Sequence, residues 1–316
     1  MPKGKPLISV VMPTYNRPST IVRAIKSALI QSYENIEIVI TDNSSGDETK
    51  EIIEKTFPNN SKILYIKNPE NLGAMKNVKN AIGHSNGEYC VILPDDDWFC
   101  NAFYIEDALG RMNRDGTSFV VAACLLNHGE DDVRLGVNTA IKVDGKDFYR
   151  GIWSKYWIPG ISCLFKKSLL LNIEYCHDEK IHYWDHDIYL KFCALTDISC
   201  YNIPSQNYNF HEGNDLTSIN HRKLIENASI CSSVHEFWSD KGGGRRDYRD
   251  LIVKYCLLTC SIYSLSGKYV LQVLNYLPAT KLDCIIISFK VFPRLMVHKI
   301  RRISKGAYSR IKGWLK

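Results

Sequence analysis

The sequence has no run of eighteen apolar residues, no Cys-x-x-Cys pair, no internal repeat and no acidic residue beyond Lys290. Each absence excludes something. Without an apolar stretch of ~20 residues, no transmembrane helix is expected. Eleven cysteines, an odd number without a repeating spacing, predict reduced and mostly buried thiols in a cytosolic protein rather than a disulfide frame. The opening Met1-Pro2-Lys3-Gly4-Lys5-Pro6 lacks the apolar segment that follows the charges of a secretory signal. What remains is ordinary: 316 residues, 45% hydrophobic and 23% charged, composed like a folded globular protein. That length suits one large α/β domain with extensions, or two modest domains.

The missing acids at the end make the charge informative. From Lys290 onward there are nine Lys or Arg and no Asp or Glu. Removing these nine from the 40 basic residues leaves 31 against 34 acidic ones, so the first 289 residues carry −3. The whole basic excess sits in the tail, where it predicts an anionic partner. Within that tail Leu295, Met296, Ile300, Ile303, Tyr308, Ile311, Trp314 and Leu315 interleave with the cations. An apolar face with Trp beside a Lys/Arg face is the pattern of a helix lying in a membrane interface. Nucleic acid, the other anionic candidate, is not expected, because the basic residues lie outside the half that carries the chemistry.

The first hundred residues alternate strand and helix signals. Leu7–Met12 is a β-rich apolar run ended by Pro13. Pro18 opens a helical pattern in which Ile21, Val22, Ile25, Ala28 and Leu29 recur at three- and four-residue steps. Ile36–Ile40, Ile63–Ile66 and Tyr89–Leu93 read as further strands, separated by helices ending near Phe57 and His84. Such alternation predicts a doubly wound, mostly parallel sheet flanked by helices. Ligands of these sheets bind beyond the carboxyl ends of the strands, where every polar loop of this half falls. Residues 99–217 are mixed, and helical periodicity returns from about Ile219, broken by Lys241-Gly242-Gly243-Gly244-Arg245.

The strongest chemical signal is Asp95-Asp96-Asp97 after the fourth strand. Three adjacent carboxylates repel one another, and a fold that holds them together usually supplies a cation. Hard oxygen ligands suit Mg²⁺ or Mn²⁺. The competing explanation is a solvated acidic loop or a helix start, where Asp is favoured.

Four segments in order, Pro13-Thr14-Tyr15-Asn16-Arg17, Thr41-Asp42-Asn43-Ser44-Ser45, Asn71-Leu72-Gly73 and the aspartates, resemble the signatures of family 2 glycosyltransferases of the GT-A fold. The resemblance covers residues 6–215. It implies a nucleotide-sugar-binding half over 1–98, an acceptor-binding half over 99–217 and a helical C-terminal region over 218–316. It places Pro13, Thr14, Tyr15, Asn16, Arg17, Asp42, Asn71, Gly73, Asp95 and Asp96 near the nucleotide. Asp97 and Asp95 fall at the metal, with Asp97 favoured as the ligand and Asp95 facing ribose or sugar. One departure is Pro94, which stands where the family's commonest form has its first Asp.

Tyr183-Trp184-Asp185-His186-Asp187 resembles the family's Glu-Asp motif opening a helix, with Trp184 in place of Glu. Asp185 then becomes the base that takes the acceptor's proton, with Asp187 as the fallback and an N-cap as the plain alternative. His182 and His186, at i and i+4, lack a third ligand in register and are expected to be exposed or behind the site. Tyr208-Asn209-Phe210-His211-Glu212-Gly213 resembles the segment whose His meets diphosphate or metal, which makes His211 a candidate ligand. Gly160 and Ser162, before Cys163-Leu164-Phe165-Lys166, resemble the acceptor-side strand.

The expected activity is inverting transfer of a sugar from a nucleoside diphosphate sugar, UDP favoured, to a lipid-linked saccharide of O-antigen or capsule synthesis. The expected place is the inner face of the cell membrane, reached peripherally through the tail. A nucleotidyltransferase would need a Gly-rich loop after strand one, and Pro-Thr-Tyr-Asn-Arg has no glycine. An inactive carbohydrate- or nucleotide-binding module would need neither a metal cluster nor a base.

Overall fold

Ile8–Thr14 forms β1, and only Pro13 in it is not buried. A strand buried on both faces carries continuous apolar residues rather than alternation, which fits ISVVM. Pro18–Leu29 is α1, with Pro18 in its first turn, where a missing N–H leaves nothing unsatisfied. It buries Ile21, Ala24, Ile25 and Ala28 against the sheet. Each Ile so buried is worth about 1.5–3 kcal/mol. The alternation continues through β2 (Ile36–Asp42), α2 (Glu48–Thr56), β3 (Ile63–Lys67), α3 (Ala74–His84) and β4 (Tyr89–Ile92). These strands are parallel in the order β3-β2-β1-β4, so the expected doubly wound core is present.

A computed structural model describes residues 4–128, 131–173, 183–209, 220–263, 265, 267–280, 282–291 and 294. Beyond β4 come β5 (Trp98–Phe99), α4 (Tyr104–Asp115), β6 (Phe119–His128), β7 (Asp131–Leu135), β8 (Lys142–Val143) and α5 (Gly145–Gly151). Then follow β9 (Cys163–Lys166), α6 (Trp184–Phe192) and β10 (Ile198–Asn209). The sheet continues past β4 as β9-β6-β10-β5. Here the direction becomes mixed. β9 runs antiparallel to both β4 and β6, while β6 and β10 are parallel. A four-residue strand reached by a long loop can enter from either end, whereas strands linked through one helix are held parallel.

Two compact units divide the chain. The first holds the sheet: Met1–Gly151, Lys155–Tyr175 and Trp184–Ser218. The second comprises Ile152–Ser154, Cys176–Tyr183 and Ile219–Lys316. Its helices are α7 (His221–Asn227), α8 (Ser229–Ser239), α9 (Arg245–Tyr263) and α10 (Gly267–Tyr276), followed by a helical stretch over 282–291. Asp283 anchors the start of that stretch. Its carboxylate accepts from Arg245 and from the Thr280 amide and hydroxyl, which holds it down at about 2 against its burial. Ile287 and Val291 are buried, while Leu282, Ile285 and Phe289 are exposed, Phe289 to 78%. At 100° per residue these three share one face of the helix. Among the described residues no helix is long and apolar enough to cross a membrane, and the cysteines there are free and mostly buried.

Candidate active site

Four loops meet at the carboxyl edge of the parallel strands. Thr14, Asp42 and Lys67 stand side by side at the ends of β1, β2 and β3. After β4, Pro94-Asp95-Asp96-Asp97 closes as a turn through Asp97 N–H to the Pro94 carbonyl, 3.2 Å. Pro94 thus begins the turn that brings the three carboxylates together.

All three are buried. Asp95 Oδ2 accepts from Thr14 Oγ1 at 2.6 Å. The Arg17 guanidinium bridges Asp95 Oδ1 at 3.1 Å and Asp96 Oδ2 at 2.5 Å. Arg23 donates to the Asp96 carbonyl at 3.1 Å and stacks on the Trp98 ring, 3.6 Å from its centroid. Asp97 Oδ1 accepts from the Asn209 amide at 2.8 Å, and Asp97 Oδ2 has no hydrogen-bond partner among the described residues. Burial, then repulsion from Asp96, pushes Asp95 up to about 6 despite the bonds from Thr14 and Arg17. Burial and Asp96 also raise Asp97.

The neighbouring loops are tied by a network of buried asparagines. Asn68 Nδ2 donates to Asn43 Oδ1 and to Asn77 Oδ1, both at 2.8 Å, and Asn77 Nδ2 donates to the Thr14 carbonyl at 3.2 Å. Asn43 Oδ1 also receives Leu72 N–H at 3.3 Å. Asp42 is fully buried, and its two oxygens accept from Ser44 N–H and Tyr65 Oη, each at 2.7 Å. The Tyr65 hydroxyl is raised by burial and by this bond. Gly73 takes φ +78° as it opens α3, a backbone that favours glycine, and its N–H donates to Asn71 Oδ1 at 2.9 Å. Asn16, at φ +53°, sits where asparagine is tolerated, and its N–H donates to Ser44 Oγ at 2.7 Å. Tyr15 is 49% exposed beside it.

The second group lies around α6. Asp185 falls in the first turn of this helix, which begins at Trp184. Its Oδ1 accepts from His186 N–H at 2.9 Å, and its Oδ2 lies against Gly160, where an added methyl would collide with it. Its side chain is 18% exposed. Asp187 is buried in an ion pair with Lys191, 2.9 Å, on the next turn. His186 Nε2 lies 3.0 Å from the Ile158 carbonyl. Ser162 is buried at φ +68°, and its N–H donates to Gln206 Oε1 at 3.2 Å. A positive φ at a non-glycine position of this kind is a form of strain that collects at functional sites. Burial raises the thiols of Cys163 and Cys124, Cys163 next by the charge of Asp185, and Cys124 up to about 12 with Asp97 as its next cause.

Thr14, Arg17, Asp95 and Asp96 are therefore in direct contact, Asp97 is tied to β10, and Asp185 is seated on Gly160. His211, His182 and nearly all of the basic tail lie outside the described residues. Sequence reasoning missed Arg23, Tyr65, Asn68, Asn77 and Gln206. The signal for the asparagines was a density of amides, Asn68, Asn71, Asn77 and Asn80, at three- to six-residue steps around β3 and α3.

Among the described residues no group of three or more His, Cys, Asp or Glu side chains forms a ready cage for a metal ion. The donors nonetheless fit a hard divalent cation. Two guanidinium groups hold the turn at Asp95 and Asp96, and the oxygen left unpartnered among the described residues belongs to the buried Asp97.

Residues 9–169, half of the chain, match the family described as Glycosyl transferase family 2. The chain belongs to this family. A GalNAc(5)-diNAcBac-PP-undecaprenol beta-1,3-glucosyltransferase of Campylobacter jejuni is 28% identical over 172 residues, 53% of this chain and 54% of that one. The chain thus spans about half of that relative and less of others it matches. In fold it is similar to S. aureus TarS 1-349 in complex with UDP-GlcNAc, with TM-score 0.66 at 16% identity over 85% of this chain and 79% of that one. It also resembles the mannosyltransferase PcManGT from Pyrobaculum calidifontis in complex with GDP-Man and Mn²⁺, with TM-score 0.54 at 17% identity over 91% and 80% of the two chains. The matched segment ends just after β9, so α6, β10 and the second unit lie outside it.

Proposed function

We propose that this family 2 chain transfers a sugar, with inversion, from a nucleoside diphosphate sugar to a hydroxyl of a lipid-linked saccharide in surface polysaccharide synthesis. UDP is the favoured nucleotide. The observation that carries the reading is the buried Asp95–Asp97 turn at the sheet's carboxyl edge, with one Asp97 oxygen unpartnered among the described residues. Tyr15, Asn16 and Asn71 line the nucleotide side, with Asp42 and the asparagine network fixing their loops from behind. Asp97, with Asp95, would hold Mn²⁺ or Mg²⁺, which offsets charge developing on the leaving diphosphate. His211 is the expected further ligand. Asp185 takes the proton of the acceptor hydroxyl as its oxygen bonds to the anomeric carbon and the bond to the diphosphate breaks. Gly160 and Ser162 shape the acceptor side. Support comes from the UDP-GlcNAc bound by TarS, the Mn²⁺ bound by PcManGT and the undecaprenol-linked acceptor of the Campylobacter relative.

A melting experiment with UDP, TDP, GDP and CDP, each with and without Mn²⁺, tests this directly. UDP with Mn²⁺ should raise Tm more than either alone, with a ligand at 100 times its Kd adding about 2.7 kcal/mol. No response to any diphosphate with either cation would end the nucleotide-sugar reading.

The acceptor reading also places the protein peripherally at the cytoplasmic leaflet. The exposed Leu282, Ile285 and Phe289 immediately precede the nine-cation tail. Anionic lipids attract each nearby Lys or Arg by about 1 kcal/mol. The full chain should float with anionic liposomes, release at high salt, and float less after Ile285→Ser with Phe289→Ser. Binding that ignores both salt and these substitutions would remove the C-terminal region from membrane attachment.

A further inference from the structure

Arg17 sits on two of the three carboxylates of the turn. Its guanidinium bridges two carboxylates of one turn while its side chain stays 29% exposed. Arg23 flanks the same turn through the Asp96 carbonyl and the Trp98 face. Among the described residues, three carboxylates set against two guanidinium groups leave the donor-free turn with one net negative charge.

A divalent cation entering alone would turn that net negative charge into a positive excess. It would also share Asp95 with the guanidinium already on it, and like charges at such separation repel strongly in a buried setting. A diphosphate arriving with the cation removes the excess. It also offers Arg17 acceptor oxygens suited to a planar fork of five N–H donors.

We propose that Arg17 makes cation binding conditional on the donor: it neutralises Asp95 and Asp96 in the donor-free protein, opposes a cation that comes alone, and shares its hydrogen bonds with the diphosphate when both arrive. This rests on the nucleotide-sugar reading above. Arg17 is a positioning residue here, and the bond-making step does not pass through it. The benefit is that the site is not filled by a metal ion without substrate.

The test is a titration of the full chain with Mn²⁺, followed by the paramagnetic resonance signal of the free ion, with and without UDP. In the wild type, UDP should tighten Mn²⁺ binding by a factor within about 5–150, and Mn²⁺ should tighten UDP by the same factor. In Arg17→Gln, Mn²⁺ alone should bind more tightly than in the wild type and the factor should fall, leaving only the direct attraction of cation and diphosphate. A purely structural ion pair would change the melting temperature and leave the factor alone, so an unchanged factor in folded Arg17→Gln overturns the proposal. Arg17→Lys keeps the charge and answers the question if Arg17→Gln does not fold. Its factor should stay well above one, and a collapse to one would show that charge opposition is not the cause. If the wild type binds neither UDP nor Mn²⁺, the nucleotide-sugar reading fails and this inference with it. If it binds both with no coupling, only the role of Arg17 is lost.

Discussion

Asp185→Asn should bind donor as tightly as the wild type and turn over ~10²–10⁴-fold more slowly, the usual contribution of a general base. The geometry favours this clean separation. Asp185 Oδ1 is held by the His186 amide, and an asparagine oxygen keeps that bond. Oδ2 is confined against Gly160, where even a methyl group would collide. The substitution therefore removes the ability to accept a proton and little else. Asp187 behaves differently, because its partner Lys191 is buried with it. Asp187→Asn leaves a buried ammonium without its carboxylate, and breaking one partner of such a pair costs about 3–5 kcal/mol. Its loss of activity should therefore come with a lower Tm, whereas Asp185→Asn melts like the wild type. Calorimetry with UDP and Mn²⁺, rates of UDP release with an acceptor, and melting curves of both variants decide the matter. A dead but fully stable Asp187→Asn beside an active Asp185→Asn would move the base to Asp187.

Much of this site was legible because its parts are local. Strand β1 followed by Pro18 and the 3- and 4-step of Ile21, Ile25 and Ala28 specify β1-loop-α1 within twenty residues. Once four such units alternate, the parallel order places their loops on one edge without knowledge of any side chain. What was not legible is long-range. Arg17 meets Asp95 across 78 residues, and Asn77 reaches the Thr14 carbonyl across 63. Neither leaves a periodic trace, since a lone Arg in a loop and an Asn in a helix are each compatible with solvent. Asp42 shows the same limit. Its place at the end of β2 was readable, but its engagement by Ser44 and Tyr65, which turns it inward, depends on the neighbouring strand. The antiparallel β9 was hidden for a related reason: Cys163–Lys166 is too short to declare its direction, and direction is set by its partners β4 and β6.

Asp97→Asn should make the ligand-free protein more stable while abolishing its response to Mn²⁺ and UDP. Asp97 is fully buried, its Oδ2 is unmatched among the described residues, and Asp96 and Asp95 press on it. An asparagine keeps the oxygen that accepts from Asn209 and removes the charge. The amide still buries an N–H₂ group, but removal of one of three crowded, buried carboxylate charges is worth about 1–3 kcal/mol. At ~2–4 °C per kcal/mol for a chain of this size, Tm should rise by several degrees at neutral pH. The pH dependence has a definite sign. Asp95 and Asp97 have folded-state values above their unfolded ones, so the folded protein holds these protons more tightly. Their favourable contribution is complete below the unfolded value of 3.8 and is lost as pH rises, for Asp95 through about 6. Ligand-free wild type should therefore lose stability relative to Asp97→Asn as pH rises above the unfolded value of 3.8, and saturating Mn²⁺ with UDP should reverse the order at pH 7 by stabilising the wild type alone. Melting curves of both proteins across that range, with and without the ligands, provide the check. A variant that melts below the wild type at pH 7 without ligand and still gains from Mn²⁺ with UDP would show that Asp97 is a structural residue and that the cation is held elsewhere.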